Sequence, residues 1–299
     1  MPFGDEVGFP HDDHTPGVHP MPFGDQSPAA SEKSNLAPVL AEAIDIAREA
    51  GELLRDLFSK PRDVGYKGRI NLVTDADRAA EELILGRIAR AFPGHAVLAE
   101  ESSGGRIPRP DPLPRHLWLV DPLDGTTNYA HGLPIYAVSI GLLVEGVPAL
   151  GVVYDPSRDE LFHGGVGLGA YLNDQPVRVS AETDLERSIL ATGFPYDLRV
   201  SADNNLVHFT RFSYVTQAIR RLGSAALDLC YVACGRLDGF WEIKLHPWDT
   251  AAAAAFIPEA GGRITDYTGG PFDVFGLETV ASNGLIHGAL IRVISSTES

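Results

Sequence analysis

One stretch constrains this chain more than any other: residues 117–130, Leu-Trp-Leu-Val-Asp-Pro-Leu-Asp-Gly-Thr-Thr-Asn-Tyr-Ala. The apolar run Leu117, Trp118, Leu119 and Val120 reads as a buried strand. It is expected to stop at Asp121, with a second carboxylate at Asp124. Gly125 then supplies a turn, and Thr126 and Thr127 supply hydroxyls. Two acids at the mouth of a buried strand, beside a turn rich in backbone N–H groups, suit a divalent cation and a phosphate together. Asp and Gly are also ordinary turn formers. This segment alone therefore leaves a plain strand-and-turn reading equally open.

Charge narrows the partners. The chain carries 40 acidic against 24 basic residues, a formal net charge of −16 over 299 residues. That excludes nucleic acid held through its backbone, which needs a basic face. It sits poorly with a phosphate substrate unless cations stand between acids and phosphate. No apolar run is long enough to span a bilayer, so no membrane partner is expected and the chain reads as cytoplasmic. Cys230 and Cys234 are the only cysteines. Two thiols do not complete a structural zinc site, and both read as core packing on one helix face.

The chain divides into three. Residues 1–35 hold prolines, acids, the histidines His11, His14 and His19, and the pentapeptide MPFGD twice. They cannot bury a core and read as a disordered acidic tail. Residues 36–184 read as an α+β subdomain. Leu40, Ala43, Ile44, Ala47 and Leu54 recur at helical spacing, with Pro38 expected in the first turn. A strand pair follows over 64–73 with its turn at 67–69, then a second helix capped by Thr74 or Asp75. A strand at 96–99 ends at Glu100 and Glu101, and 102–115 reads as loop. Beyond the central stretch, strands at 137–144, 150–154, 160–163 and 170–172 form an antiparallel meander. Residues 185–299 alternate strands and helices and read as an α/β subdomain. The fold class expected is α+β, a layered αβαβα sandwich with an N-terminal α+β half and a C-terminal α/β half.

Asp77, Glu100, Glu101, Asp121, Asp124, Glu242 and Asp249 all fall at element ends, where a scaffold holds active-site groups. Helix capping would equally account for Asp77 or Asp249. It does not account for the spacing of Asp121 and Asp124 beside Gly-Thr-Thr.

These motifs resemble the inositol monophosphatase family of magnesium-dependent, lithium-sensitive phosphatases. The resemblance runs from about residue 36 onward. DPLDGTTN at 121–128 carries it, with NLVTDAD at 71–77, AEES at 99–102, GVVYDP at 151–156, RRLGSAALDL at 220–229 and HPWDTAAA at 246–253. The resemblance implies two to three Mg²⁺ ions per site. Glu100, Asp121 and the main-chain carbonyl of Leu123 would ligate the first, and Asp121, Asp124 and Asp249 the second. A third, weaker ion would sit near Glu100 and Asp77 through water. Asp77 and Thr126 correspond to the catalytic pair that activates water, and Glu100 is counted with them. Gly125 and Thr126 would offer backbone N–H groups to the phosphate. Asp124, Ser224, Ala225 and Glu242 would contact the sugar or cyclitol hydroxyls. No histidine is needed, and His131, His163 and His246 read as packing or surface residues. Ala99 departs from a common glycine, which is harmless if its φ is negative. The all-alanine run to Ala255 departs from another, and a slightly different helix packing is expected there.

The activity implied is hydrolysis of inositol 1-phosphate, or a similar small polyol phosphate monoester, by a homodimer. Histidinol phosphate and fructose 1,6-bisphosphate are the alternatives within the superfamily. Glu242 favours hydroxyl donors over a second phosphate, though a histidinol amine could also pair with it. An alternative of another class is a non-catalytic regulatory partner in transcription or ribosome assembly.

Overall fold

A computed structural model describes residues 30–60, 64–66, 72–104 and 109–296. The expectations for residues 1–29 and for the 67–69 turn lie outside the described residues.

The chain opens on α1 (Ala30–Phe58), whose Leu40, Ala43, Ile46, Ala47, Ala50 and Leu54 form a buried stripe. The helix begins inside the stretch expected as tail, so Pro38 lies within it rather than in its first turn. Ala30, Glu32 and Lys33 are good helix formers, and one missing N–H is tolerated beside so long a buried face. Strands β1 (Val64–Tyr66) and β2 (Leu72–Thr74) pair antiparallel and lead into α2 (Asp75–Ala91). Next come β3 (Ala96–Ala99), the one-turn α3 (Glu100–Ser103), β4 (His116–Asp124) and α4 (Thr126–Ala130). The loop expected from residue 102 therefore starts later, because Glu100 to Ser103 coil into a turn of helix.

Strands β5 (Ala137–Val144), β6 (Val147–Asp155), β7 (Glu160–Gly165), β8 (Gly169–Leu172) and β9 (Gln175–Pro176) complete a seven-stranded sheet in the order β3-β4-β5-β6-β7-β8-β9. Only β3 and β4 run parallel; the remainder is the expected meander. Then follow β10 (Ile189–Thr192), α5 (Leu206–Val215), β11 (Ala218–Arg220), α6 (Ala225–Ala233), β12 (Gly239–Ile243), α7 (Pro247–Phe256), β13 (Arg263–Thr265), β14 (Glu278–Ser282) and α8 (His287–Ser295). The second sheet has the order β11-β10-β12-β14-β13 and mixes parallel and antiparallel pairs.

The layers are α1 and α2, the large sheet, α6 and α7, the small sheet, then α5 and α8. This is the expected αβαβα sandwich. The large sheet is covered on both faces, which is why β5 reads Ala-Val-Ser-Ile-Gly-Leu-Leu-Val with every position buried. The alanine run of α7 has its complement in that sheet. A Cβ at Gly151 would stand 2.0 Å from the Ala252 carbonyl oxygen, and one at Gly141 2.8 Å from the Ala252 nitrogen. Strand glycines and helix alanines together let α7 lie almost on the β5–β6 backbone. That contact fixes the helix whose first turn carries Asp249.

Candidate active site

The centre is β4. The strand does not stop at Asp121, as the sequence suggested. Asp121 pairs with Ser139 and Asp124 with Ala137, with a register shift between them. The pairing resumes because Leu123, 1% exposed, is buried with the strand. The bulge aims two carboxylates into one cleft from a single strand. Gly125 ends it at φ 92°, and a Cβ there would lie 2.8 Å from the Ile135 carbonyl oxygen. Position 125 thus excludes any side chain on two counts.

Two of the other acids sit at helix starts and do double duty. Asp77 is the third residue of α2, and Thr74 is the N-cap. The Thr74 amide donates to Asp77 Oδ2 at 2.7 Å and the Thr74 hydroxyl at 2.5 Å, a capping box. The other oxygen, Oδ1, accepts from the Thr126 hydroxyl at 3.0 Å. Capping therefore leaves the second oxygen of Asp77 free to meet Thr126. Asp249 repeats the arrangement on α7, where its Oδ2 accepts from the His246 amide at 2.7 Å. Thr126 Oγ1 also stands 3.0 Å from the Leu123 carbonyl oxygen.

Asp124 is fixed from across the molecule. Its Oδ2 accepts from the Ser224 hydroxyl at 2.6 Å and the Ala226 amide at 2.8 Å. Ser224 is the N-cap of α6, so the carboxylate docks on a helix N-terminus. Glu100 opens α3, whose next two amides, Glu101 and Ser102, each donate at 2.8 Å to Glu81. Ala99 has φ −122°, so its methyl group is accommodated without strain, as the sequence required. Glu242 lies on β12, 8% exposed, against Gly193.

Glu100, Asp121, Leu123, Asp124, Gly125, Thr126, Ser224, Ala225, Glu242 and Asp249 all line one cleft of about 300 Å³. Asp77 stands behind Thr126, one hydrogen bond away. Burial pushes Asp121 well above the ordinary carboxylate range, with the charges of Glu100, Asp124 and Asp249 adding to the push. Burial raises Asp249 likewise, helped by Asp124 and Glu100. Burial lifts Asp124 to about 6 despite the stabilising bonds from Ser224 and Ala226. Asp77 is raised mainly by burial, against the bonds from Thr74 and Thr126. Glu242 reaches about 8 through burial and Asp124, with Arg221 opposing. These acids repel one another. Among the described residues, no three of them already meet as a closed ligand set. What fits an ion is the donor chemistry: oxygen atoms only, anionic, partly desolvated and mutually repelling, as hard divalent cations require.

The sequence missed several residues. Glu81, 5% exposed, anchors α3; a charge on the buried face of α2, beside Ala80 and Ile84, was its signal. Asp228, 1% exposed, lines the cleft, and its Oδ1 has no hydrogen-bond partner among the described residues. Burial, then Glu242 and Asp124, pushes it well up. An acid in the apolar run Ala-Ala-Leu-Asp-Leu was the sign. Tyr196 lines the cleft from a loop that gave no such signal, and Arg221 lines it from the RRLGSAALDL segment, where no role was assigned to it. His163 instead bonds the Asn173 carbonyl oxygen at 2.9 Å, and Cys230 is buried core.

The inositol monophosphatase family model matches residues 35–299. The chain belongs to the inositol monophosphatase family. It is 45% identical to the inositol-1-monophosphatase of Synechocystis sp. over 88% of this chain and 91% of that protein. It is 43% identical to the Nus factor SuhB of Escherichia coli K12, covering 78% of this chain and 86% of that one. The structure of inositol monophosphatase from Anabaena (Nostoc) sp. superposes with a TM-score of 0.78 at 46% identity, over 87% of this chain and 96% of that one. The chain is thus a phosphatase of a generally metal-dependent family acting on small phosphate monoesters. Among the described residues no helix is long and apolar enough to cross a membrane.

Proposed function

We propose that the protein is a Mg²⁺-dependent phosphomonoesterase that hydrolyses myo-inositol 1-phosphate, or a similar small polyol phosphate, to the polyol and phosphate. The observation that carries this reading is the Asp77–Thr126 hydrogen bond at 3.0 Å beside a cleft walled by Glu100, Asp121, Asp124 and Asp249. Those four acids and the Leu123 carbonyl would hold two to three Mg²⁺ ions. Bound there, the ions would supply Lewis-acid polarisation and a more acidic water.

The chain's own residues supply the rest. Thr126 donates to Asp77, which turns a lone pair of its hydroxyl toward the cleft. A water that donates to that lone pair is oriented for attack, and its proton passes through Thr126 to Asp77. Burial raises the proton affinity of Asp77, which suits that role. The amides of Gly125 and Thr126 would steady the phosphoryl oxygens. Glu242, with Ser224 and Ala225 beside it, meets the polyol hydroxyls, and Ser224 and Ala226 hold Asp124 where it meets the same group.

Lithium inhibition and a homodimer accompany this reading. Activity unmoved by high lithium, or a monomer mass by light scattering, would count against each. A second reading, a regulatory partner in transcription, is favoured by the likeness to the Nus factor SuhB. Asp124→Asn separates the two. A cellular phenotype lost with phosphatase activity supports the enzyme; a phenotype kept without activity supports the regulator.

A further inference from the structure

Tyr196 belongs to the segment joining β10 to α5, and that segment is pinned on both sides of it. Behind it, the Asn205 amide donates to the Gly193 carbonyl oxygen at 2.7 Å, and the Trp241 indole donates to Asn205 Oδ1 at 2.7 Å. Just before it, the Arg221 guanidinium lies 4.8 Å above the Phe194 ring. Just after it, Lys244 bonds Asp197 at 2.8 Å and Ser201 at 2.8 Å. The position of Tyr196 is therefore set by its neighbours, while its own side chain holds nothing in place.

Two facts place it beside the acids. The residue is 55% exposed, yet it lines the cleft. Its hydroxyl is desolvated and feels Glu100, Asp249, Asp124 and Asp121, which together drive its ionisation well above the ordinary phenol range. Tyr196 therefore shares the cleft wall with the four acids, and its phenol stays protonated beside them. Those four are the carboxylates at the phosphoryl end; Glu242, at the polyol end, is not among the charges acting most strongly on it. No other described residue takes a hydrogen bond from this phenol. A protonated donor on the wall of an anionic cleft, with no protein partner among the described residues, is complementary to an anion that arrives with cations.

We propose that Tyr196 is a phosphoryl-binding residue, donating its phenolic hydrogen to a non-bridging phosphate oxygen. This rests on the reading of the four acids as the cation and phosphoryl site. The contact is made to the group common to all substrates, so it adds affinity without choosing among leaving groups. Asp77 and Thr126 still move the proton; Tyr196 holds the group they act on.

The test is inorganic phosphate binding to the full chain with saturating Mg²⁺, for wild type and Tyr196→Phe, by titration calorimetry. Phe keeps the ring and removes only the hydroxyl of an exposed residue, so the thermal midpoint should not move. Phosphate should bind about tenfold more weakly to the variant, the size of one hydrogen bond to an anion. KM should rise by the same factor for inositol 1-phosphate and for p-nitrophenyl phosphate, whose leaving groups have nothing in common, with kcat nearly unchanged. Equal phosphate affinity in the two proteins would overturn the proposal. So would an effect confined to inositol 1-phosphate, which would move the contact to the leaving group. Wild type that binds no phosphate with Mg²⁺ would instead bring down the reading of the acids, and the role of Tyr196 with it.

Discussion

The two ends of the cleft are built differently. At the β4 end, three acids are held by backbone within three residues: Asp77 by Thr74, Asp249 by His246, Asp121 by the Leu123 amide at 2.9 Å. At the far end, groups from separate elements meet only through tertiary packing. Glu242 comes from β12, Asp228 from α6 and Arg221 from the loop before it. Local capping geometry makes the first end rigid and independent of what the leaving group is. On the proposed function, chemistry falls to the first end and selectivity to the second, and substitutions at the two ends should have different kinetic signatures.

The largest effect is expected at the junction of the two. Asp124→Asn removes an anion from the cation site while leaving an oxygen for Ser224 and Ala226. Turnover should fall by on the order of a thousandfold with inositol 1-phosphate and with p-nitrophenyl phosphate alike. A loss seen with only one of them would erase the division between the ends. Thr126→Ala comes next, because it breaks the path from the cleft to Asp77. It should lower kcat about a hundredfold, with KM within a few-fold. Both values follow from steady-state phosphate release.

Glu242→Gln probes the other end and should show the opposite split. KM for inositol 1-phosphate should rise about tenfold, with little change for p-nitrophenyl phosphate, which has no hydroxyl to offer. A parallel loss on both substrates would mean that Glu242 serves the phosphoryl end after all.

The smallest effect is on stability in the absence of metal. Asp124 and Glu242 have folded-state values of about 6 and about 8, both above their ordinary ones. The native state then binds more protons than the unfolded chain between roughly pH 4 and 8, so stability falls as pH rises through that window. With a chelator present, the thermal midpoint should be higher at pH 5 than at pH 8. Saturating Mg²⁺ should remove or reverse the difference, since the cation replaces the proton. A midpoint that rises with pH under chelator would show that these acids are not crowded as described.

The same contrast governs what was legible in the sequence. The layered fold and most strands could be read because the apolar runs are long and their turns, such as Glu145-Gly146 and Asn173-Asp174, are strong signals. The acids of the β4 end could be read because strand ends and helix starts are local features, and because DPLDGTTN is specific. The path of β4 beyond Asp121 could not. Asp and Pro argue against a strand, and only the buried Leu123 and its partners on β5 carry the pairing through. Ala30 as the start of α1 was obscured by the acidic, proline-rich residues before it. Asp228 was visible in principle as an acid in an apolar helix, but what it faces depends on β12. Tyr196 gave no signal, and Arg221 gave only its place in the RRLGSAALDL motif. Their places are set by Asn205, Lys244 and Phe194, contacts between elements that no spacing along the chain records.

The central claim is that a metal-dependent phosphoryl site is joined to an end that accepts polyols. The measurement that tests it most directly is phosphate release from inositol 1-phosphate, histidinol phosphate and fructose 1,6-bisphosphate, each with Mg²⁺ and with chelator. Inositol 1-phosphate should be the fastest substrate, and chelation should abolish turnover of all three. Negligible turnover of inositol 1-phosphate beside rapid hydrolysis of histidinol phosphate would contradict the polyol assignment, and turnover that survives chelation would contradict the metal site.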